Sequence, residues 1–159
     1  NCKAIIVIKN PYTWFSSIKR WADKNNKWLI KDKSKNNYVN FTIKSAYERY
    51  NFLYHEHKKL LEGNYNNTIF DDSILIRYED YLLDQNHEMQ RIGEKFGLKI
   101  NFPLIEPIKV ECSPELFTEE KKRFYLEQKP EEFEKEITNA VDWDLMSFYG
   151  YKKIIKEAI

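Results

Sequence analysis

Residues 4–8 read Ala-Ile-Ile-Val-Ile and are followed at once by Lys9-Asn10-Pro11. Five small or β-branched apolar residues without a polar alternate describe a short strand buried on both faces, the habit of parallel sheets. A parallel strand needs a crossover of a dozen or more residues before its neighbour can pair with it. The stop after Ile8 supplies the start of that crossover, because asparagine is a strong helix N-cap and proline suits the first helical position. A helix is therefore expected from Pro11 to about Asp23. Trp14, Ser17, Ile18 and Trp21 fall along one face of it at three- and four-residue steps.

The rest of the chain keeps this rhythm. Residues 25–40 are rich in Lys and Asn and read as a surface loop, in which Lys31-Asp32-Lys33-Ser34-Lys35 is a solvated run. A second helix is expected from about Ile43 to Glu62, carrying Tyr47, Tyr50, Tyr54 and His57 on its apolar stripe, with Gly63 as its stop. Ser73 to Tyr78 reads as a second buried strand centred on Ile74, Leu75 and Ile76. A helix to Phe96 follows, with Met89, Ile92 and Phe96 on its buried side and Gly97 as C-cap. Pro103 and Pro107 exclude a central strand from residues 102–110. The tail reads as helices over Pro114–Gln128, Pro130–Ala140 and Asp142 to the end, broken at Gly150.

Strand, helix, helix, strand, helix is the order of an α/β domain: a parallel sheet with helical crossovers and a helical C-terminal portion. No repeat or shift of composition divides it, so a single domain over residues 1–159 is expected. In open sheets of this kind ligands bind at the carboxyl ends of the strands. Two segments stand there: Lys9-Asn10-Pro11 and Tyr78-Glu79-Asp80.

Charge narrows the partners. The 26 basic residues nearly balance the 25 acidic ones, so the chain has no general pull towards nucleic acid or an anionic membrane, and any anion site must be local. No apolar run approaches the roughly 20 residues of a membrane span. Cys2 and Cys112 do not make a disulfide framework, so a reducing, cytoplasmic setting is expected. A metal site is not expected. His55 and His57 in His55-Glu56-His57 are two residues apart on a helix and point away from each other.

At the first strand end, a helix N-terminus offers free N–H groups and partial positive charge to a phosphate, and Lys9 adds a full charge. Read from the residues alone, Lys9 is a solvated strand-end lysine, and Ser17 bonds back to the carbonyl of Thr13. At the second, Asp80 reads as the N-cap of the next helix, with Glu79 and Asp80 also placed to pair with Arg77.

These segments resemble those of PAPS-dependent sulfotransferases. Ile6-Val7-Ile8-Lys9-Asn10-Pro11 with Ser17 is similar to that family's 3′-phosphate motif, a buried strand ending in Arg-Asn/Asp-Pro with a serine eight residues after the arginine. Ile74 to Leu98, through Arg77-Tyr78-Glu79-Asp80-Tyr81-Leu82-Leu83 and Phe96-Gly97-Leu98, resembles its RYEDLL…FLGL segment. Weaker likenesses join Glu48-Arg49-Tyr50-Asn51 to the family's Trp-Asn helix, and Asp142-Trp143-Asp144-Leu145-Met146 with Gly150-Tyr151 to its C-terminal ending. The resemblance implies a P-loop-NTPase-like sheet, incomplete at the N-terminus, and binding of the sulfuryl donor PAPS (3′-phosphoadenosine 5′-phosphosulfate). It assigns Lys9 and Ser17 to the 3′-phosphate and Tyr78 to the neighbourhood of the adenine, with Lys121, Lys122 and Arg123 as a weaker phosphate contact. Lysine in place of arginine keeps the charge and loses the bidentate fork.

Two family elements have no counterpart. None of the four glycines, Gly63, Gly93, Gly97 and Gly150, lies between a strand and a helix, where the family's 5′-phosphosulfate loop would be. No general base is assignable, so the catalytic residues stay unknown, and the chain is expected to be the C-terminal part of such a domain. The expected activity is sulfuryl transfer from PAPS to a hydroxyl or amine of a glycan, lipid, peptide or small molecule. The aromatic face Tyr47, Tyr50 and Tyr54 is either core or part of an acceptor pocket. The alternatives are a non-catalytic nucleotide- or protein-binding module on the same scaffold, and a P-loop kinase relative. A sheet edge left open would favour self-association.

Overall fold

The computed structural model describes residues 2–25, 29–32, 37–40, 42–100 and 133–154. They fall into two compact units, residues 2–9 with 60–100, and residues 10–59 with 133–154. The expected helix over Pro114–Gln128, the prolines at 103 and 107, and Lys121, Lys122 and Arg123 lie outside the described residues.

The first unit is built on a parallel pair. β1 (Cys2–Ile8) lies alongside β4 (Phe70–Arg77), in a register that sets Ala4 beside Ser73, Ile6 beside Leu75 and Ile8 beside Arg77. Between them the chain makes α1 (Pro11–Asn25), a hairpin of β2 (Leu29–Asp32) and β3 (Asn37–Asn40), and α2 (Ile43–Leu61). The expected parallel strands and helical crossover are thus present, in a mixed α/β chain. After β4 come α3 (Tyr78–Leu83) and α4 (Gln85–Phe96). Asp84 separates the two helices by capping α4: its carboxylate accepts from the His87 N–H at 2.9 Å.

One expectation for β1 needs correction. Its burial alternates: Ala4, Ile6 and Ile8 are buried, while Ile5 and Val7 are 51% and 52% exposed. Strand parity puts Ile5 and Val7 on the face of their register partners Ile74 and Ile76. On that face Ile74 and Ile76 are packed with Ile92, Met89 and Phe96 of α4 and with Tyr81. The helix thus covers β4 and leaves Ile5 and Val7 half exposed.

β4 is fastened at its start. The buried Ser73 hydroxyl donates to the carbonyl of Leu60 at 2.9 Å and lies 3.1 Å from the Tyr65 hydroxyl. Lys3 pairs with Asp71 and Lys95 with Asp72, at 3.1 and 2.8 Å. At the other end of α4, Gly97 takes the left-handed C-cap, and the N–H groups of Gly97 and Leu98 both reach the Gly93 carbonyl.

The second unit packs α1 and α2 with α5 (Glu134–Ala140) and α6 (Trp143–Phe148). α2 opens on a reciprocal cap, in which the Ser45 N–H donates to the Thr42 hydroxyl oxygen and the Thr42 N–H to that of Ser45. Among the described side chains of α1, the most buried are those of its first turns, Pro11, Tyr12, Thr13 and Phe15. Trp14, Ser17 and Ile18 of the expected stripe are only half buried, and the Trp21 side chain lies outside the described residues. The reading of 25–40 as a loop is overturned by the β2–β3 hairpin, which pairs Ile30 with Val39 in antiparallel register. The Lys- and Asn-rich composition conceals two short β-forming runs, Leu29-Ile30 and Tyr38-Val39. The last helix ends sooner than expected, at Phe148, with Gly150 in a positive-φ turn and residues 151–154 non-helical.

Two helix ends give measurable consequences. A Cβ on Gly93 would meet Ile100 Cγ1 at 2.7 Å and the Leu98 carbonyl oxygen at 2.9 Å. Overpacking costs about 1–3 kcal/mol, against a helix-propensity gain of about 1 kcal/mol. Gly93→Ala should therefore lower the urea midpoint at unchanged slope.

Asp142 caps α6 and accepts from the Leu145 N–H at 3.0 Å, while its other oxygen lies 2.8 Å from His55 Nε2. The Leu145 hydrogen bond first, then His55, hold its carboxyl below the usual carboxylate range. Stability from Asp142 is thus complete above the unfolded carboxylate pKa of about 4 and is lost as pH falls through the lower folded value. Asp142→Asn should flatten that acid limb in pH-dependent melting, and Asp142→Ala should cost about 1 kcal/mol at neutral pH.

Candidate functional site

The β1–β4 register decides what stands at the carboxyl ends of the strands. With Ile8 beside Arg77, the next residues, Lys9 and Tyr78, leave the sheet side by side. Lys9 Nζ lies 4.8 Å from the centroid of the Tyr78 ring, inside the range of a cation–π contact. Two of the three residues singled out in the sequence, Lys9 and Tyr78, are thereby brought into contact.

Ser17 belongs to the other unit. Its half-buried hydroxyl donates to the carbonyl of Thr13 at 3.2 Å, as the residues alone imply. The start of α1 is also as expected. Asn10 Oδ1 accepts from the Tyr12 N–H at 2.9 Å, its carbonyl accepts from the Trp14 N–H, and Pro11 takes the first helical position.

Arg77 makes one of the pairings that its neighbours in sequence allow. Its guanidinium makes a two-pronged pair with Asp80, Nε to Oδ2 and Nη2 to Oδ1, each at 2.7 Å. Asp80 is therefore not a cap. It sits inside the first turn of α3, and Arg77 occupies the N-cap position, where its side chain caps no backbone N–H of the helix. The reading of Asp80 as N-cap fails because the helix starts two residues earlier, at Tyr78, which leaves the Asp80 carboxylate to the forked, charge-assisted pair with Arg77. The carboxylate also sits at the positive end of the short helix.

The aromatic face of α2 is core. Tyr47, Tyr50 and Tyr54 are buried, and Trp14 packs edge-on against Tyr47 and Tyr50 with centroids 5.3 and 4.7 Å away. The Tyr47 hydroxyl donates to the Pro11 carbonyl and that of Tyr50 reaches Met146 Sδ at 3.3 Å. Burial pushes the Tyr47 phenol far above its ordinary range, so it acts as a fixed donor.

Among the described residues no group of three or more His, Cys, Asp or Glu side chains is placed to hold a metal ion. None of their helices is long and apolar enough to cross a membrane. A groove of about 360 Å³ lies against α4, lined by Gln90, Gly93, Glu94, Leu98 and Ile100, and offers no cationic side chain. Searches of family models, curated proteins and solved structures found no match to the chain.

Sequence reasoning missed how Asn51, His55 and Asp142 join. Asn51 Nδ2 donates to the Ala140 carbonyl at 2.9 Å, and its oxygen accepts from the Asp142 N–H at 3.2 Å. With the His55–Asp142 contact, this ties α2 to the turn between α5 and α6. Asn51 and His55 share one face of α2 at a four-residue step, which is the signal that was available.

His57 is a separate case. Its Nδ1 is buried without a hydrogen-bond partner, and burial lowers its pKa, opposed by Glu56. A folded pKa below the unfolded value of about 6.5 means stability that is complete above pH 6.5 and falls as pH drops through the folded value. NMR titration should find His57 ionising below 6.5, and His57→Leu should remove that part of the fall in melting temperature between pH 7 and 5.

Proposed function

We propose that this chain is the nucleotide-binding part of a PAPS-dependent sulfotransferase, on a P-loop-NTPase-like scaffold, with Lys9 as the 3′-phosphate cation. The observation that carries the reading is the pairing of an ammonium and an aromatic face at the carboxyl ends of two adjacent parallel strands. Ligands of open α/β sheets bind at that end, and a phosphate beside an adenine asks for a cation beside an aromatic surface. The residues present fit the donor in kind: Lys9 for the 3′-phosphate, Tyr78 for the base, and Ser17 at the spacing of the resembling motif. When bound, PAPS supplies the sulfuryl group. This chain's part is to bind and orient the nucleotide, and the proton acceptor for the receiving hydroxyl or amine is not assigned to it.

A second reading, a non-catalytic nucleotide- or protein-binding module, draws support from Ser17 and Arg77. Each spends its polar group inside the fold, on the Thr13 carbonyl and on Asp80.

Calorimetric titration with 3′,5′-ADP and 5′-AMP tests the first reading. Wild-type chain should bind 3′,5′-ADP the more tightly. Lys9→Ala should remove a charge-assisted contact worth about 1.5–3 kcal/mol and bring the two nucleotides level. Ser17→Ala should weaken 3′,5′-ADP alone. Equal affinity for both nucleotides in the wild type, or no binding by a folded chain, would count against it.

A further inference from the structure

Lysine at position 9 poses a problem that the structure answers. An arginine carries its own geometry into an anion site, because its planar fork fixes two donors at once, whereas a lysine brings a point charge on a flexible four-carbon stem. We infer that Tyr78 is the positioning residue for Lys9, its ring face holding the ammonium at the carboxyl end of β1. The inference rests on the reading of Lys9 as a phosphate-binding cation.

Three features of the first unit support it. The Lys9 ammonium is 4.8 Å from the ring centroid, where the negative face of the π-system attracts a cation. The contact is built in by register. Ile8 lies beside Arg77, so the two residues that follow leave the strands as neighbours on the same face. The ring's own attachment is fastened, since Tyr78 opens α3 directly after Arg77, and the Arg77–Asp80 fork closes that strand-to-helix turn on itself.

The arrangement has a thermodynamic signature. If the ring orients Lys9, removing it harms recognition of the 3′-phosphate and does so only while Lys9 is present. If Tyr78 touches the base alone, its removal weakens every adenine nucleotide alike and does so with or without Lys9.

The test is a double-mutant cycle on the full chain, using Lys9→Ala, Tyr78→Leu, the double variant and the conservative Tyr78→Phe, titrated with 3′,5′-ADP and 5′-AMP. The quantity read is the affinity ratio between the two nucleotides. Tyr78→Phe keeps the ring face and should hold the ratio within about twofold. Tyr78→Leu should lower it about two- to fivefold, the worth of an exposed cation–π contact, and should leave it unchanged in the Lys9→Ala background. An unchanged ratio in Tyr78→Leu, including one that accompanies an equal loss for both nucleotides, overturns the inference.

A ligand-free measurement separates this inference from the proposed function. The ε-methylene protons of Lys9 should be shifted upfield by the ring in wild type and in Tyr78→Phe, and should return to ordinary lysine values in Tyr78→Leu. Unshifted signals in the wild type overturn the positioning role even if nucleotides bind. Should the wild type bind neither nucleotide, the functional reading fails, and the methylene shifts alone decide whether Tyr78 holds Lys9.

Discussion

The parallel pairing of β1 with β4 is the constraint from which the first unit follows. Two neighbouring strands that point the same way cannot be joined by a tight turn, so the chain after Ile8 must travel back to the start of β4. The path taken is α1, the β2–β3 hairpin and α2. The same pairing brings both carboxyl ends to one edge of the sheet, which is why residues 69 positions apart in sequence, Lys9 and Tyr78, meet there. Register matters as much as direction. A slip of one residue would move Ile74, Ile76 and Tyr78 to the opposite face. The Ser73 hydroxyl, tied to Leu60 and Tyr65, and the Lys3–Asp71 pair hold β4 against such a slip.

Polar groups in the second unit serve closure. The Tyr47 hydroxyl on the Pro11 carbonyl and the Tyr149 hydroxyl on the Tyr54 carbonyl give buried phenols the partner that burial would otherwise make costly to lack, and Asn51 serves the Ala140 carbonyl and the Asp142 N–H at a helix junction. An aromatic stripe of this kind keeps its hydroxyl ends bonded while its rings fill the core. That is a reason to read Tyr47, Tyr50 and Tyr54 as packing even though their types would suit a binding pocket.

Much of this was legible in the sequence where the signal is local. The unalternating run before Lys9-Asn10-Pro11 marks the first strand and the start of α1. Ile43 and Gly63 bracket α2, and Gly97 marks the end of α4, because caps and positive-φ turns depend on one or two residues. What was not legible depends on neighbours. The apolar run 4–8 says nothing of where α4 lies, so Ile5 and Val7 were expected buried and are half exposed. Lys and Asn dominate residues 25–40 and outweigh the few β-formers that pair as a hairpin. At the candidate site, Lys9 and Tyr78 were each visible as strand-end residues. Their contact required the register, and the choice of Asp80 between capping and Arg77 required the geometry of the turn.

The two cations at the strand ends show how placement follows chemistry. Arg77 leads from β4 into α3, and its rigid fork fastens that turn by gripping Asp80 through both prongs. A lysine there would keep the charge and lose one of the two bonds. Lys9 ends β1 and needs no fork to lie over a ring, because a compact ammonium is attracted to the face of a tyrosine without a preferred twist. The residue with built-in geometry is thus spent on the scaffold, and the residue without it is oriented by a side chain that the scaffold holds. An arginine exchanged into position 9 would bring a planar group suited to stacking on Tyr78 as well as to gripping an anion. The lysine cannot stack, so any grip it took on an anion would depend on where the ring has put it.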